Sequence, residues 1–162
     1  MAGGKFGSEV RLFWLATLLL IIGIIVYAVD RGGAAYFLPG WLATDGETAI
    51  FGPLGDRLPT FVHTLAFILI TAAVLWPWPR LLPVTCVAWF VIECLFEIGQ
   101  HESFAERIAD AMPAWFDGIP VLEATPAYFV SGTFDWLDIV SIGLGAVTAY
   151  LLVRFVRKGG MP

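Results

Sequence analysis

Four stretches of almost unbroken apolar residues alternate with polar segments along the chain, and their lengths decide the architecture. The first, Arg11 to Ala28, exceeds the apolar region of about 7 to 15 residues typical of a cleaved secretory signal, and no small-x-small site follows it. A retained membrane span is therefore expected. The second, about Thr60 to Trp76, stops at Pro77-Trp78-Pro79-Arg80, where the prolines interrupt the helix. So short a turn makes the second and third spans antiparallel neighbours. The third, about Leu81 to Gln100, has the roughly 20 residues needed to cross hydrocarbon. The fourth, about Phe134 to Val156, closes with Arg154, Arg157 and Lys158. The pattern predicts an all-α integral membrane four-helix bundle in one domain over residues 1–162, with spans at about 11–28, 60–76, 81–100 and 134–156.

The intervening segments differ in character. Asp30 to Pro59 is rich in Gly and Pro, carries Asp30, Arg31, Asp45, Glu47, Asp56 and Arg57, and is expected to be a loop. In the acidic stretch His101 to Thr133, Glu102 to Met112 fits a short surface helix with Phe104, Ile108 and Met112 on one side. Pro113, Pro120 and Pro126 are expected to keep the remainder irregular or extended. Lys5, Arg11, Arg80, Arg154, Arg157 and Lys158 fall on one side of this topology in short segments, against Arg31, Arg57 and Arg107 in the two long loops. The preference of Lys and Arg for the cytoplasmic side then places both termini in the cytoplasm and the loops at about 30–59 and 101–133 outside. Trp14, Trp76, Trp78 and Trp136, at the ends of spans, fit interfacial belts.

Composition agrees with this reading: the chain is 59% hydrophobic and 14% charged, where soluble domains run nearer about half and a quarter. A net charge of -5 argues against nucleic acid as a partner. Cys86 and Cys94 share the third span about 12 Å apart along its axis, so they cannot pair with each other there.

The polar residues inside and beside the spans are the departures from a greasy bundle. Glu93, Glu97 and Gln100 stand at i, i+4 and i+7, on one face of span three. Asp138, Ser141, Gly145 and Ala149 form a comparable stripe on span four, whose small residues let helices approach closely in lipid. Ser141, Gly145 and Ala149 are therefore assigned to helix packing, and Asp138 is expected to look inward. With His63 near the start of span two and Asp135 just before span four, His63, Glu97, Gln100, Asp135 and Asp138 are expected near one outer level, and with Glu93, about 10 Å below Gln100 along the axis, they form a candidate polar pocket facing outward. Ionisable residues within a span cost about 2.5 to 3.5 kcal/mol on insertion scales, and those that persist usually face a bundle interior or a watery cavity. Plainer roles exist for each. Asp135 fits a helix N-cap, Asp138 a first-turn carboxylate, and His63 an interfacial side chain.

One His among several carboxylates suits a divalent cation, but metal-binding spacings such as H-E-x-x-H are absent, so no cofactor is expected. Ser131 and Ser141 have no G-x-S-x-G around them and there is no phosphate loop, so no catalytic residue is assigned. The segment Pro59-Thr60-Phe61-Val62-His63-Thr64-Leu65-Ala66-Phe67, then Glu97-Ile98-Gly99-Gln100, then Asp138 followed by Gly145, resembles the VanZ-like family of small bacterial membrane proteins. The resemblance covers roughly Thr60 to Tyr150, and by it His63, Glu97, Gln100, Asp138 and Gly145 match the family's polar and glycine positions. The family commonly carries an Arg ahead of the Asp and an Asn four positions after it; here Gly132 to Phe134 holds no Arg, and Ile142 replaces the Asn.

These observations lead to the expectation of a multi-pass protein of the bacterial cytoplasmic membrane, more a binding protein than an enzyme, whose pocket engages a membrane lipid or cell-envelope headgroup. One alternative is an accessory subunit of a larger membrane protein complex, with Trp41, Trp115 and Tyr128 in contact loops. Another is a membrane enzyme acting on a lipid-linked substrate, with Glu97 or Asp138 as base and His63 as acid.

Overall fold

The structure, a computed structural model, describes residues 7–31 and 50–159; Lys5, Trp41, Asp45 and Glu47 lie outside the described residues. The regular structure among these residues is all helical, with no strand. Four helices are long and apolar enough to cross a membrane: α1 (Ser8–Arg31), α2 (Pro53–Val74), α3 (Leu82–Gly99) and, after two short helices α4 (Ala105–Asp110) and α5 (Thr125–Ser131), α6 (Trp136–Arg157).

The second helix begins seven residues earlier than the hydropathy pattern places it. Pro53 supplies the reason, because a proline in the first helical turn loses no hydrogen bond and brings a preset φ. The start of α2 is fastened to the end of α1 by Asp30, whose carboxylate accepts from the Ile50 and Phe51 amides at 2.9 and 3.2 Å. Gly55 makes room for that carboxylate, since a Cβ there would overlap it. Pro59 sits inside the helix rather than ending the loop, and Arg57 is thereby a helical residue rather than a loop one. Pro126 likewise opens α5, where irregular chain was expected.

Helix α2 is the centre of the bundle. It packs against α1 along one side and α6 along the other, while α3 lies against both α6 and α2 and shares no extended contact with α1. Leu12 and Ala16 of α1, Leu65, Ala66, Ile68 and Leu69 of α2, and Ala149 and Val153 of α6 are buried where these faces meet. Helix α6 comes close to the backbone of α2 at Gly145, where a Cβ would lie 2.7 Å from the Phe61 carbonyl oxygen. The buried stripe of α6 runs through Asp138, Ile142, Gly145 and Ala149. Ser141 stands beside this seam and its hydroxyl donates to the Leu137 carbonyl of its own helix at 2.9 Å.

The remaining helix faces carry Ile21, Ile25, Val87, Leu95, Leu144 and Leu151 fully outward. So continuous an apolar exterior is stable only against lipid or another apolar surface. At the end of the bundle where α1 finishes and α2 begins, hereafter the polar end, α5 folds over α3. Phe129 is buried on Gly99, where a Cβ would come within 2.6 Å of its ring, and stacks on Phe96 at 5.8 Å. At the opposite end the Arg157 guanidinium lies 4.1 Å over the Trp76 ring and donates to the Trp76 carbonyl at 3.0 Å, tying α6 to the turn between α2 and α3.

Candidate functional site

The early start of α2 determines the geometry of the polar residues. His63 lies six residues, about 9 Å, further along the helix axis than Arg57. The polar groups therefore occupy two tiers, not one.

The tier nearer the polar end is built on the first turn of α6. Asp135 is the N-cap of that helix, its carboxylate accepting from the Leu137 amide at 2.8 Å. Its other oxygen meets Arg57 of α2 at 2.6 Å. Asp138 is buried one turn on, accepts from the Thr60 hydroxyl at 3.3 Å, and stands 3.6 Å from the same guanidinium. Glu97, also buried, reaches across from α3 to accept the Asp135 amide at 2.8 Å. Three carboxylates thus converge on one helix N-terminus, where the helix dipole and the guanidinium offset their mutual repulsion. Gln100 bonds the Tyr128 hydroxyl and lies against Gly132, where any side chain would overlap it. This tier is an electrostatic clasp that fixes the ends of α2, α3 and α6 to one another.

The Leu137 amide first, and Arg57 second, hold the Asp135 carboxyl below the usual carboxylate range. A carboxyl lowered in the fold contributes stability above its unfolded value, about 3.9, and that contribution disappears as pH falls through the lower, folded value. Asp135→Asn, which can still cap, is expected to melt lower than wild type at neutral pH and to converge with it in strong acid. Thermal unfolding followed over an acid pH series checks this.

The deeper tier is a cleft of about 460 Å³. It is lined by Leu20, Ile24 and Tyr27 of α1, Thr60, His63 and Phe67 of α2, Glu93 and Glu97 of α3, and Tyr128 of α5. The cleft is open, for the His63 side chain is 50% exposed and Ile24 48%. His63 Nδ1 is 3.6 Å from Glu93 Oε1, just past direct hydrogen-bond reach. Its ring rests on Phe67 at 4.2 Å, and Phe67 stacks on Trp89 at 4.7 Å, whose indole N–H donates to Thr71 at 2.9 Å. Burial, reinforced by the charges of Glu97 and Glu93, raises the Tyr128 phenol well above the usual tyrosine range, so it remains a hydrogen-bond donor.

Of the six residues expected to share a pocket, the structure brings His63, Glu93 and Glu97 to the cleft and puts Asp135 and Asp138 in the clasp, with Gln100 supporting Tyr128. Arg57, Thr60 and Tyr27 are further members that the sequence pattern did not single out. The available signal was spacing: Arg57, Thr60 and Thr64 recur at i, i+3 and i+7, one face of a helix that begins at Pro53. No group of three or more His, Cys, Asp or Glu placed to hold a metal ion occurs among the described residues. No family model, curated protein or solved structure matches the chain.

Proposed function

We propose that the chain is a VanZ-like protein of the bacterial cytoplasmic membrane, with both termini in the cytoplasm, and that its function is to bind a membrane lipid or cell-envelope headgroup in the cleft between α1 and α3. The observation that carries this reading is the cleft itself: the apolar side chains of Leu20, Ile24 and Phe67 line it together with the polar groups of His63, Glu93, Glu97 and Tyr128. That combination matches an amphiphile. An acyl chain would leave laterally between the two helices that share no extended contact, and the headgroup would meet the polar side chains. The proposed orientation is supported by Lys and Arg, since Arg80, Arg154, Arg157 and Lys158 gather at the end opposite the cleft. Kinship with the VanZ-like family is supported by Arg57, which brings a guanidinium to 3.6 Å from Asp138 from another helix, although the Arg usual ahead of that Asp is missing.

A second reading, an accessory subunit of a membrane protein complex, is favoured by the exposed Trp115, Ile119 and Val121 on the strap between α4 and α5. Native mass spectrometry of the protein gently extracted from its own membrane separates the two. A stoichiometric lipid adduct is expected. A stoichiometric protein partner with no lipid adduct would replace the lipid reading by the subunit one.

A further inference from the structure

The side chains around the cleft are selective in charge. Glu93, Glu97 and His63 line it together with the rings of Tyr27, Phe67 and Tyr128, and no Lys or Arg is among the lining residues. Arg57, the cation nearest along α2, belongs to the clasp and is engaged by Asp135 at 2.6 Å and Asp138 at 3.6 Å. A lipid recognised only through a phosphate would find no cationic partner here and would meet two acidic side chains in a medium of low dielectric, where repulsion is strong. An ammonium group finds the reverse. Carboxylates attract it, and aromatic faces add a cation–π contribution.

Resting on the lipid-binding reading above, we propose that the occupant is a phospholipid with an ethanolamine headgroup, its ammonium seated between His63, Glu93 and the aromatic rings. At 3.6 Å, His63 Nδ1 and Glu93 Oε1 make no direct hydrogen bond with each other, so an N–H donor approaching beside the pair does not have to displace one. The stack of His63 on Phe67 and of Phe67 on Trp89 holds the imidazole in place before a ligand arrives. Thr60 and Tyr128, which also line the cleft, border the space that the rest of the headgroup would occupy.

The test reconstitutes the full chain in nanodiscs of equal phosphatidylethanolamine and phosphatidylglycerol and measures, by native mass spectrometry, which lipid stays bound. Wild type is expected to enrich the ethanolamine lipid about tenfold. Glu93→Gln, nearly isosteric, is expected to bring the ratio back to that of the nanodisc, and Glu93→Asp, which keeps the charge, to retain most of the preference. Unfolding temperatures of both variants establish that they are folded, and the wild-type ratio is informative without them. Equal retention of the two lipids by wild type, or undiminished preference in Glu93→Gln, overturns the headgroup proposal while leaving lipid binding intact. Failure to retain either lipid removes both.

Discussion

Replacing Gly145 with valine is expected to destabilise the bundle by about 3 kcal/mol, at the upper end of what overpacking a close-packed interior costs. The reason lies in where α6 crosses α2. A single Cβ at this position would lie 2.7 Å from the Phe61 carbonyl oxygen and 3.2 Å from Thr64 Cβ, and the first of these is backbone that cannot swing aside. The helices would have to separate, loosening Ile68, Leu69, Ala149 and Val153 together. Gly145→Ala is expected to fall partway. Gly143, two residues earlier on a different face, is the internal control, since a Cβ there meets only the Phe90 ring edge at 3.7 Å. Gly143→Ala is expected to stabilise by up to about 1 kcal/mol, because the open contact leaves the preference for Ala over Gly within a helix unopposed. Thermal unfolding of the three variants in one mild detergent gives the comparison, and a gain at both positions would show that helix propensity, not helix contact, governs this seam.

The second large effect concerns occupancy rather than stability. Ile24→Trp is expected to reduce retained lipid at least about tenfold, the equivalent of roughly 1.4 kcal/mol, by placing an indole where the chain of the ligand would run. Ile24 lines the cleft but is 48% exposed, so the larger side chain enters free space and not the core. Stability is accordingly expected to change by no more than about 0.5 kcal/mol. Ile25 is the control: it is 53% exposed on α1 and does not line the cleft. Ile25→Trp is expected to leave the lipid in place. Quantifying lipid after exhaustive detergent exchange reads the difference, and equal retention by both variants would mean that the retained lipid lies elsewhere on the apolar exterior.

The four long apolar helices were legible because lipid imposes a length and a composition that few other structures share. Their starts were less so. Gly and Pro before Thr60 read as loop, yet Pro53 in a first turn and Gly55 beneath Asp30 are what allow α2 to begin early. That shift of seven residues, about 10 Å of helix, moved Arg57 into the bundle and set His63 below the level of Asp135. Pro126 was misread in the same way, since a proline in a first turn starts a helix as readily as one further on interrupts it. The stripe of Asp138, Gly145 and Ala149 was readable from helical spacing, while Ser141 was not separable from Ile142 without knowing which way α6 faces. The division of six polar residues into clasp and cleft depended on which helices touch. Periodicity gives the face of each helix but not its neighbour.

Within that division, the clasp and the cleft depend on each other. Glu97 belongs to both, accepting the Asp135 amide at 2.8 Å while lining the cleft wall. An occupant drawing on Glu97 therefore acts on the first turn of α6, and a change in the clasp alters the wall that an occupant meets.

The most direct test of the account is an experimental structure of the full chain in a lipid nanodisc. Elongated density is expected in the cleft, with its polar end at His63 and Glu93 and its tail passing between α1 and α3 into the bilayer. A cleft closed by contact of α1 with α3, or filled by a helix of another protein, would contradict it.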